Sequence, residues 1–226
     1  MASKTASKSG LAVILSRLEA FQRPKVRVEQ YTTPSEIAAE VLWSAFMRGD
    51  IEGKVIADLG SGTGILGLGA MILGAKRVYF IDMDKNALDI AKNNILYLES
   101  EGYLGKDLAE GRDYAFKCID IEELNSVIDE KKGESVDTVV QNPPFGTRVK
   151  HIDKVFLDKA LDTAPVVYSF HKSSTERFVK SFCKDRKVSI TEVWNFEFPI
   201  KKNMEHHTKR VQKIEVSVFR LESFDR

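Results

Sequence analysis

Residues 54–67 read KVIADLGSGTGILG. A strand-forming run, Val55 to Leu59, leads into three glycines at alternate positions, Gly60, Gly62 and Gly64. Alternate glycines permit a tight turn from a strand into a helix, and they let the backbone approach a bound ligand without obstruction by Cβ atoms. This stretch therefore predicts a strand-turn-helix unit of a doubly wound α/β fold, with a ligand at the turn.

Strand-forming runs alternate with amphipathic segments along the rest of the chain. The six further runs are RVYFID, YAFKCI, VDTVVQ, VVYSFH, KVSITEVWNF and VQKIEVSVFRL. Since amphipathic segments separate most of them, we predict a seven-stranded, mostly parallel, Rossmann-like sheet covered by helices on both faces. The last two runs are joined without an obvious helix, which predicts an antiparallel hairpin at one edge.

The length of 226 residues, 43% of them apolar, suits one domain rather than two. We predict a disordered basic start over 1–10 and a single domain over 11–226, in which 11–34 form an N-terminal helix and a loop that covers the ligand. Thr33 suits the N-cap of the following helix, with Pro34 at its first position and Glu36 closing a capping box.

No apolar run approaches the roughly 20 residues that span a bilayer, and the start resembles no signal peptide. We therefore expect a soluble intracellular protein.

Charge is unevenly distributed, although the formal net charge is only +1. Residues 1–30 carry +4, 31–145 carry −9 and 146–226 carry +6. A polyanion such as RNA could therefore be held by the two basic ends without contact with the acidic middle. The alternative is that these Lys and Arg side chains only solvate exposed helices.

Two acidic residues follow strands at the edge where such sheets bind ligands. Asp82 ends the second strand and is suited to accept both ribose hydroxyls of an adenosine moiety; Gly62, Gly64 and Gly67 with this Asp also satisfy the fingerprint of nicotinamide dinucleotide proteins. Asp120 follows the third strand, where it could accept a hydrogen bond from an adenine amino group or simply cap the next helix.

The fourth strand ends in Asn142, Pro143, Pro144 and Phe145. Two prolines remove two backbone donors and stiffen the turn, so that carbonyl oxygens and the Asn142 amide face the ligand pocket. A turn without chemistry could use Asn-Pro-Pro, but here it follows a buried strand and precedes an aromatic residue. This stretch is the strongest local indication of catalysis in the chain.

DLGSGTG, Asp82, Asp120 and NPPF in this order resemble the Rossmann-like methyltransferases that modify planar amino groups. EQYTTP (29–34), NPPFGT (142–147) and VYSFHKSST (167–175) resemble one branch, the small-subunit ribosomal RNA adenine-N6 methyltransferases of archaea and eukaryotes. The resemblance covers nearly the whole chain after the first ten residues. The departures are an acidic stretch over 101–113 and a long loop over 197–210.

This resemblance implies an S-adenosyl-L-methionine cofactor and methylation of N6 of an adenosine in RNA. Asn142 and the Pro143 carbonyl would accept the amine protons, and Phe145 would stack the target base. The implied cofactor-binding residues are Gln30, Thr33, Asp58, Gly60, Gly62, Gly64, Asp82, Asp120 and Ile121, with Ile119 as the alternative to Ile121 against the adenine ring. Gln30 and Thr33 would cover the methionine end of the cofactor.

RNA contacts are predicted for Arg148, Lys150, His171, Lys172, Lys201, Lys202, Lys209, Arg210 and Lys213, although His171 suits a structural role almost as well. Cys118 and Cys183 have no CxxC spacing and His206-His207 has no partners at metal spacing, so we predict no metal site.

The resemblance implies a small zinc-binding activator subunit if the sheet edge beyond the second and third strands is apolar. It also favours the cytoplasm, with the nucleus or nucleolus as alternatives.

Three other functions remain open at this stage. Guanine-N2 methylation of RNA uses NPPF on larger chains, and glutamine-N5 methylation of protein uses the same motif with Tyr preferred. A non-catalytic dinucleotide-binding module would leave NPPF unexplained.

Overall fold

The computed structural model describes residues 7–21, 32–105, 107–126, 135–145, 151–201 and 211–223, with 125, 126, 200, 201, 211 and 212 described by their backbone alone. Its helices are α1 (Lys8–Leu15), α2 (Ser35–Met47), α3 (Ile65–Ile72), α4 (Lys85–Ser100), α5 (Ile152–Thr163) and α6 (Glu176–Asp185). Its strands are β1 (Val55–Leu59), β2 (Arg77–Asp82), β3 (Tyr114–Cys118), β4 (Thr138–Gln141), β5 (Val166–Lys172), β6 (Ser189–Lys201) and β7 (Val211–Glu222). None of the helices in these ranges is long and apolar enough to cross a bilayer.

The strands form a seven-stranded sheet in the order β3-β2-β1-β4-β5-β7-β6. The first five are parallel to one another, and β7 runs antiparallel to both β5 and β6. The predicted doubly wound sheet and its antiparallel edge hairpin are thus confirmed. The strand order reverses at β1 and β4, which is where open α/β sheets bind their ligands.

The register of the parallel strands brings their carboxyl ends to one level. Leu59 pairs with Ile81 on one side and with Gln141 on the other. The next residues along the chain, Gly60, Asp82 and Asn142, therefore lie side by side at one edge of the sheet. This edge carries the candidate site.

The hairpin of β6 and β7 extends beyond the rest of the sheet at this same edge. β5 pairs with β7 only as far as Lys172 opposite Val216, whereas β6 and β7 remain paired to Lys201 opposite Val211. The predicted loop over 197–210 is therefore shorter than expected, since 197–201 continue β6. We call this two-stranded extension, 197–201 with 211–215, the arm.

Two apolar clusters cover the faces of the sheet. Alternation of side chains along each strand sends Ile56, Phe80 and Tyr168 to the face that carries α1 to α4. Ala57, Val139 and Phe219 point to the other face, which α5 and α6 cover. Burial on both faces explains the nearly continuous apolar character of the central strands.

The starts of the first two helices differ from the sequence prediction. α1 begins at Lys8 because the Ser7 hydroxyl accepts the Gly10 N–H, so part of the expected disordered start is helical. α2 has Pro34 as its N-cap and no side-chain cap hydrogen bond, so the predicted capping box is wrong. The Thr33 hydroxyl has another partner, described below.

A buried ionic cluster at the opposite edge fastens the hairpin to the loop before β1. The Arg220 guanidinium donates to both carboxylate oxygens of Asp50, at 2.8 and 3.2 Å, and the Tyr168 hydroxyl donates to Asp50 at 2.6 Å. Burial, and then the hydrogen bond to Asp50, raise the pKa of Tyr168 above its ordinary value. A paired and hydrogen-bonded charge is tolerated where a single one would be costly.

Candidate active site

The glycine turn after β1 has the backbone that its sequence predicts. Gly60, Gly62 and Gly64 all adopt positive φ, between +54° and +88°, a region that other residues rarely occupy. Gly67 is required for a different reason: a Cβ there would lie 2.4 Å from the Phe80 ring. The turn thus brings α3 close to the sheet, and at Gly62 it has no Cβ atom of its own.

Asp58 lies beneath this turn and is buried. Its Oδ2 accepts the Gly67 N–H at 2.8 Å. Burial raises the pKa of Asp58 to about 7, the Gly67 hydrogen bond opposes the shift, and the negative charge of Asp82 adds to it. A cationic group bound above the turn would therefore stabilise the ionised form of this carboxylate.

Asp82 links the ends of β1 and β2. Its Oδ2 accepts the Gly62 N–H and its Oδ1 accepts the Asp84 N–H, each at 2.8 Å. An ionised carboxylate accepts through both of its oxygens, and these two hydrogen bonds fix its orientation. The position fits the predicted role against ribose hydroxyls.

Asp120 is exposed, and its Oδ1 accepts the Glu122 N–H at 3.0 Å. This hydrogen bond is the capping interaction that the sequence offered as the alternative role, and it uses one of the two oxygens. Ile121 is only 6% exposed and packs in the core, whereas Ile119 is half-buried. Ile119 is therefore better placed than Ile121 to pack on a ring in the pocket.

Asn142 presents an acceptor that has no partner in the described part of the chain. Its Nδ2 donates to the Thr33 hydroxyl at 2.8 Å, while its Oδ1 is buried and forms no hydrogen bond among the described residues. Leaving a buried polar atom unpaired costs about 1 to 3 kcal/mol. Such an atom marks a place where a ligand donor would be stabilising.

Phe145 is more buried than its predicted role suggests. It is 6% exposed and belongs to the apolar cluster on the α1–α4 face, with the Lys172 ammonium 6.0 Å from its ring centroid. A base stacked on this ring would need the ring to expose a face. Lys172 is well placed to meet a negatively charged ligand beside it.

Three buried polar residues next to Asn142, namely Gln141, Ser169 and His171, are joined by hydrogen bonds. The sequence did not point to Gln141 or Ser169, and it predicted His171 as an RNA contact. Gln141 Nε2 donates to the Ser169 hydroxyl at 2.9 Å, and the same hydroxyl lies 2.7 Å from His171 Nε2. His171 is 1% exposed, and burial lowers its pKa to about 4, so it is neutral near pH 7. Because a phosphate needs a surface group, this position favours the structural role that the sequence left open.

The segment after α1 is fastened to the glycine turn by a residue that the sequence analysis did not identify. Asn94 of α4 accepts the Glu19 N–H at 2.7 Å and donates to the Glu19 and Thr63 carbonyls at 3.0 and 3.1 Å. Two residues further on, Phe21 Cζ lies 3.2 Å from where a Cβ on Gly62 would be. The available signal was a polar residue at a buried position of the α4 apolar face.

Apart from the buried His171, the predicted RNA-contacting residues divide into three groups. Lys201 and Lys213 lie on the arm, which passes the site edge, and the exposed Lys213 pairs with Glu197 at 2.6 Å. Lys172 lies at the end of β5, beside Phe145. Arg148, Lys150, Lys202, Lys209 and Arg210 lie outside the described residues, as does the predicted cofactor residue Gln30.

Comparison with protein families gives a match over part of the chain. The profile of the ribosomal protein L11 methyltransferase (PrmA) family matches residues 42–104. This range holds the glycine turn and Asp82 and ends before NPPF. The match therefore concerns the half of the site that binds the cofactor.

Two relatives match nearly the whole chain. An uncharacterised protein of Methanocaldococcus jannaschii is 37% identical over 220 residues, which cover 95% of this chain and 94% of that protein. The rRNA N(6)-adenosine-methyltransferase METTL5 of Danio rerio is 31% identical over 210 residues, covering 91% of this chain and 94% of that protein. These alignments include both the glycine turn and NPPF.

One solved structure shares the whole fold. A Pyrococcus horikoshii protein for which RNA methyltransferase activity has been suggested superposes with a TM-score of 0.81 at 37% identity. The match covers 96% of this chain and 98% of that one.

Proposed function

Because the chain belongs to the rRNA N(6)-adenosine-methyltransferase family, we propose that it methylates N6 of an adenosine in small-subunit ribosomal RNA, with S-adenosylmethionine as the methyl donor. The observation that carries this proposal is the buried Oδ1 of Asn142, which lacks a hydrogen-bond partner in the described part of the chain. It is an acceptor, and an exocyclic amine brings the donors that it needs. The proposal rests on this chemistry together with family membership.

The residues at the site fit the cofactor. The glycine turn would let the cofactor approach the backbone, Asp82 would hold the ribose, and Asp58 would lie beneath the methionine end. When bound, S-adenosylmethionine supplies an already activated methyl group, so the protein contributes position and electrostatics.

Asn142 acts on the nucleophile. The nitrogen of a conjugated amine has a poorly available lone pair and must become more tetrahedral as it attacks. The Asn142 oxygen and the Pro143 carbonyl would accept the amine protons and so favour this geometry and its developing positive charge. No general base is needed, because the amine proton can leave after the methyl group is bonded.

The test is to identify the methylated nucleoside. The purified chain is incubated with isotopically labelled S-adenosylmethionine and, separately, small-subunit ribosomal RNA, large-subunit ribosomal RNA, transfer RNA and total protein. Digestion followed by mass spectrometry should give labelled N6-methyladenosine from small-subunit RNA. Label in N2-methylguanosine or in a glutamine side chain would replace the proposal with one of the two alternative reactions.

Protein L11 belongs in the same experiment as a separate substrate. The profile that names it matches only the cofactor half of the chain, so it says little about the acceptor substrate. We expect no label in L11.

For RNA binding we propose that the basic ends hold the phosphates, with Lys172 and the arm near the target base. Charge reversal at Lys209 and Arg210 should weaken RNA binding and flatten its salt dependence, because fewer counterions are released. Lys184→Glu is the control, since this exposed lysine lies in the last turn of α6, which runs back from the site edge. An unchanged salt slope in the double variant would return these residues to the role of solvated surface.

For the partner we propose that a zinc-binding activator subunit covers the β3 edge. β3 is an outer strand of the sheet, and Met83 and Leu96 near it are each 62% exposed. The Cys118 thiol beside Met83 is also exposed, and Phe116 is half-buried. An edge strand with exposed apolar neighbours favours association.

Binding of the activator can be tested by gel filtration of the two purified proteins. Met83→Lys should abolish co-elution, whereas Met47→Lys should not, although Met47 at the end of α2 is 69% exposed. Equal loss in both variants would contradict the β3 location.

Because ribosomal RNA is the proposed substrate, we expect the protein in the cytoplasm or, in a nucleated cell, also where ribosomes are assembled.

A further inference from the structure

Thr33 contacts the catalytic loop although the sequence assigns it other roles. It lies just before α2, is 4% exposed and takes no part in capping that helix. Its hydroxyl accepts the Asn142 Nδ2–H at 2.8 Å, across 109 residues of sequence. The loop that precedes α2 is thereby joined to NPPF by a side-chain hydrogen bond.

This hydrogen bond has a direct consequence for the chemistry of Asn142. A primary amide has a donor end and an acceptor end. Because the Nδ2 end donates to Thr33, the Oδ1 end points away from Thr33. This oxygen is the end of the amide that has no partner among the described residues. If the amide were reversed, its NH₂ group would take that buried position and would need an acceptor there. A buried unpaired N–H group is rarer in proteins than an under-satisfied oxygen.

We propose that Thr33 is a positioning residue that holds Asn142 with its oxygen toward the amine to be methylated. This inference rests on the proposed role of Asn142 and adds a coupling: the acceptor is aligned when the segment before α2 is docked. The resemblance instead implied that Thr33 covers the cofactor. The two roles predict different defects, because a positioning residue affects the reaction rate and a cofactor contact affects cofactor affinity.

The test compares Thr33→Val, which has nearly the same shape but no hydroxyl, with Thr33→Ser, which keeps the hydroxyl. Single-turnover rates are measured with cofactor and substrate saturating, and cofactor affinity is measured by calorimetry. Loss of alignment by a fraction of an ångström lowers a rate by about 10- to 100-fold, which we expect for Thr33→Val. Thr33→Ser should stay within about threefold of wild type, and cofactor affinity should change little in either variant.

A double-mutant cycle separates positioning from a general structural effect. If Thr33 acts through Asn142, Thr33→Val should cause no further loss in an Asn142→Ala background. Multiplicative losses, a normal rate for Thr33→Val, or a defect in cofactor affinity alone would each overturn the inference. Should Thr33→Val not fold, Thr33→Ala enters the same cycle.

The outcome is separable from that of the proposed function. The N2 group of guanine and the side-chain amide of glutamine also carry planar NH₂ groups whose protons need an acceptor. If the wild-type chain methylates one of these and not adenosine, the cycle run on that substrate still tests Thr33.

Discussion

Gly62 donates its backbone N–H to Asp82 Oδ2 across 2.8 Å, which joins the turn after β1 to the end of β2. The glycine turn that a cofactor would approach and the carboxylate that would hold its ribose are therefore fixed as one unit. A side chain at position 62 would disturb this unit twice, because the residue has φ +54° and Phe21 Cζ would lie 3.2 Å from the new Cβ.

Asp82→Ala should weaken cofactor binding by about 1 to 3 kcal/mol, since the ribose hydroxyls would lose their acceptor. Calorimetry with S-adenosylmethionine measures this change. Asp89→Ala is the control, because it removes the same charge from an exposed position on α4. Equal affinity in both variants, or tight NAD binding by wild type, would contradict the assignment.

Asn142→Ala should lower turnover by about 100- to 1,000-fold, because the lost acceptor matters most as the nitrogen becomes tetrahedral. Cofactor and RNA affinities should change far less. Asn142→Asp should keep more activity than Asn142→Ala, since a carboxylate still accepts the amine protons. A near-normal single-turnover rate for Asn142→Ala would reduce NPPF to a turn.

Phe145 should contribute through its ring face. Since the side chain is 6% exposed, Phe145→Ala would also leave a cavity that lowers stability. Phe145→Leu keeps most of the apolar volume and removes the aromatic face. The free energy of RNA binding should become less favourable by about 1 to 3 kcal/mol, and the activation free energy of turnover should rise by about the same amount. Phe145→Tyr should retain most activity. Full activity of the Leu variant, with thermal stability checked in parallel, would argue against base stacking.

Asp58 should make the stability of the cofactor-free protein fall as pH rises. Its pKa is 3.8 in the unfolded chain and about 7 in the folded protein, so its protonated form is favoured by folding. The stabilisation is complete below pH 3.8 and is lost as pH rises through about 7.

Asp58→Asn cannot ionise and should lose this dependence. Its stability relative to wild type should grow by ~1 to 4 kcal/mol between pH 4 and pH 8, at ~1.4 kcal/mol for each unit of pKa difference. Denaturant unfolding at several pH values measures the difference. Parallel curves for the two proteins would show that folding does not raise the pKa of Asp58.

The buried cluster around Arg220 should be important for stability. In the Arg220–Asp50 pair the side chains are only 9% and 11% exposed, so Asp50→Ala would leave the buried cation with Glu222, at 2.7 Å, as its remaining carboxylate and should cost about 3 kcal/mol. Glu192→Ala is the matched control, since its pair with Arg48 is largely solvated and should be worth at most about 1 kcal/mol. Similar unfolding free energies for the two variants would be inconsistent with this difference.

Much of the fold was predictable because it depends on short-range patterns. The glycines at 60, 62 and 64 permit the positive φ that a tight strand-to-helix turn uses, and alternation of apolar residues assigns strand faces without knowledge of the rest of the chain. Parallel strands then align their carboxyl ends, which is why Asp82 and Asn142 could be predicted to share one edge.

The sequence by itself determined which residues follow the strands, and so which chemistry the site edge carries. Only the tertiary structure decided which atoms of those residues remain free. Thr33 suited a helix cap by local pattern, but its hydroxyl lies near Asn142, 109 residues away. Asn94 likewise binds Glu19 across 75 residues. A side-chain hydrogen bond depends on distances of a few ångströms between elements, and these distances are set by packing of the whole core.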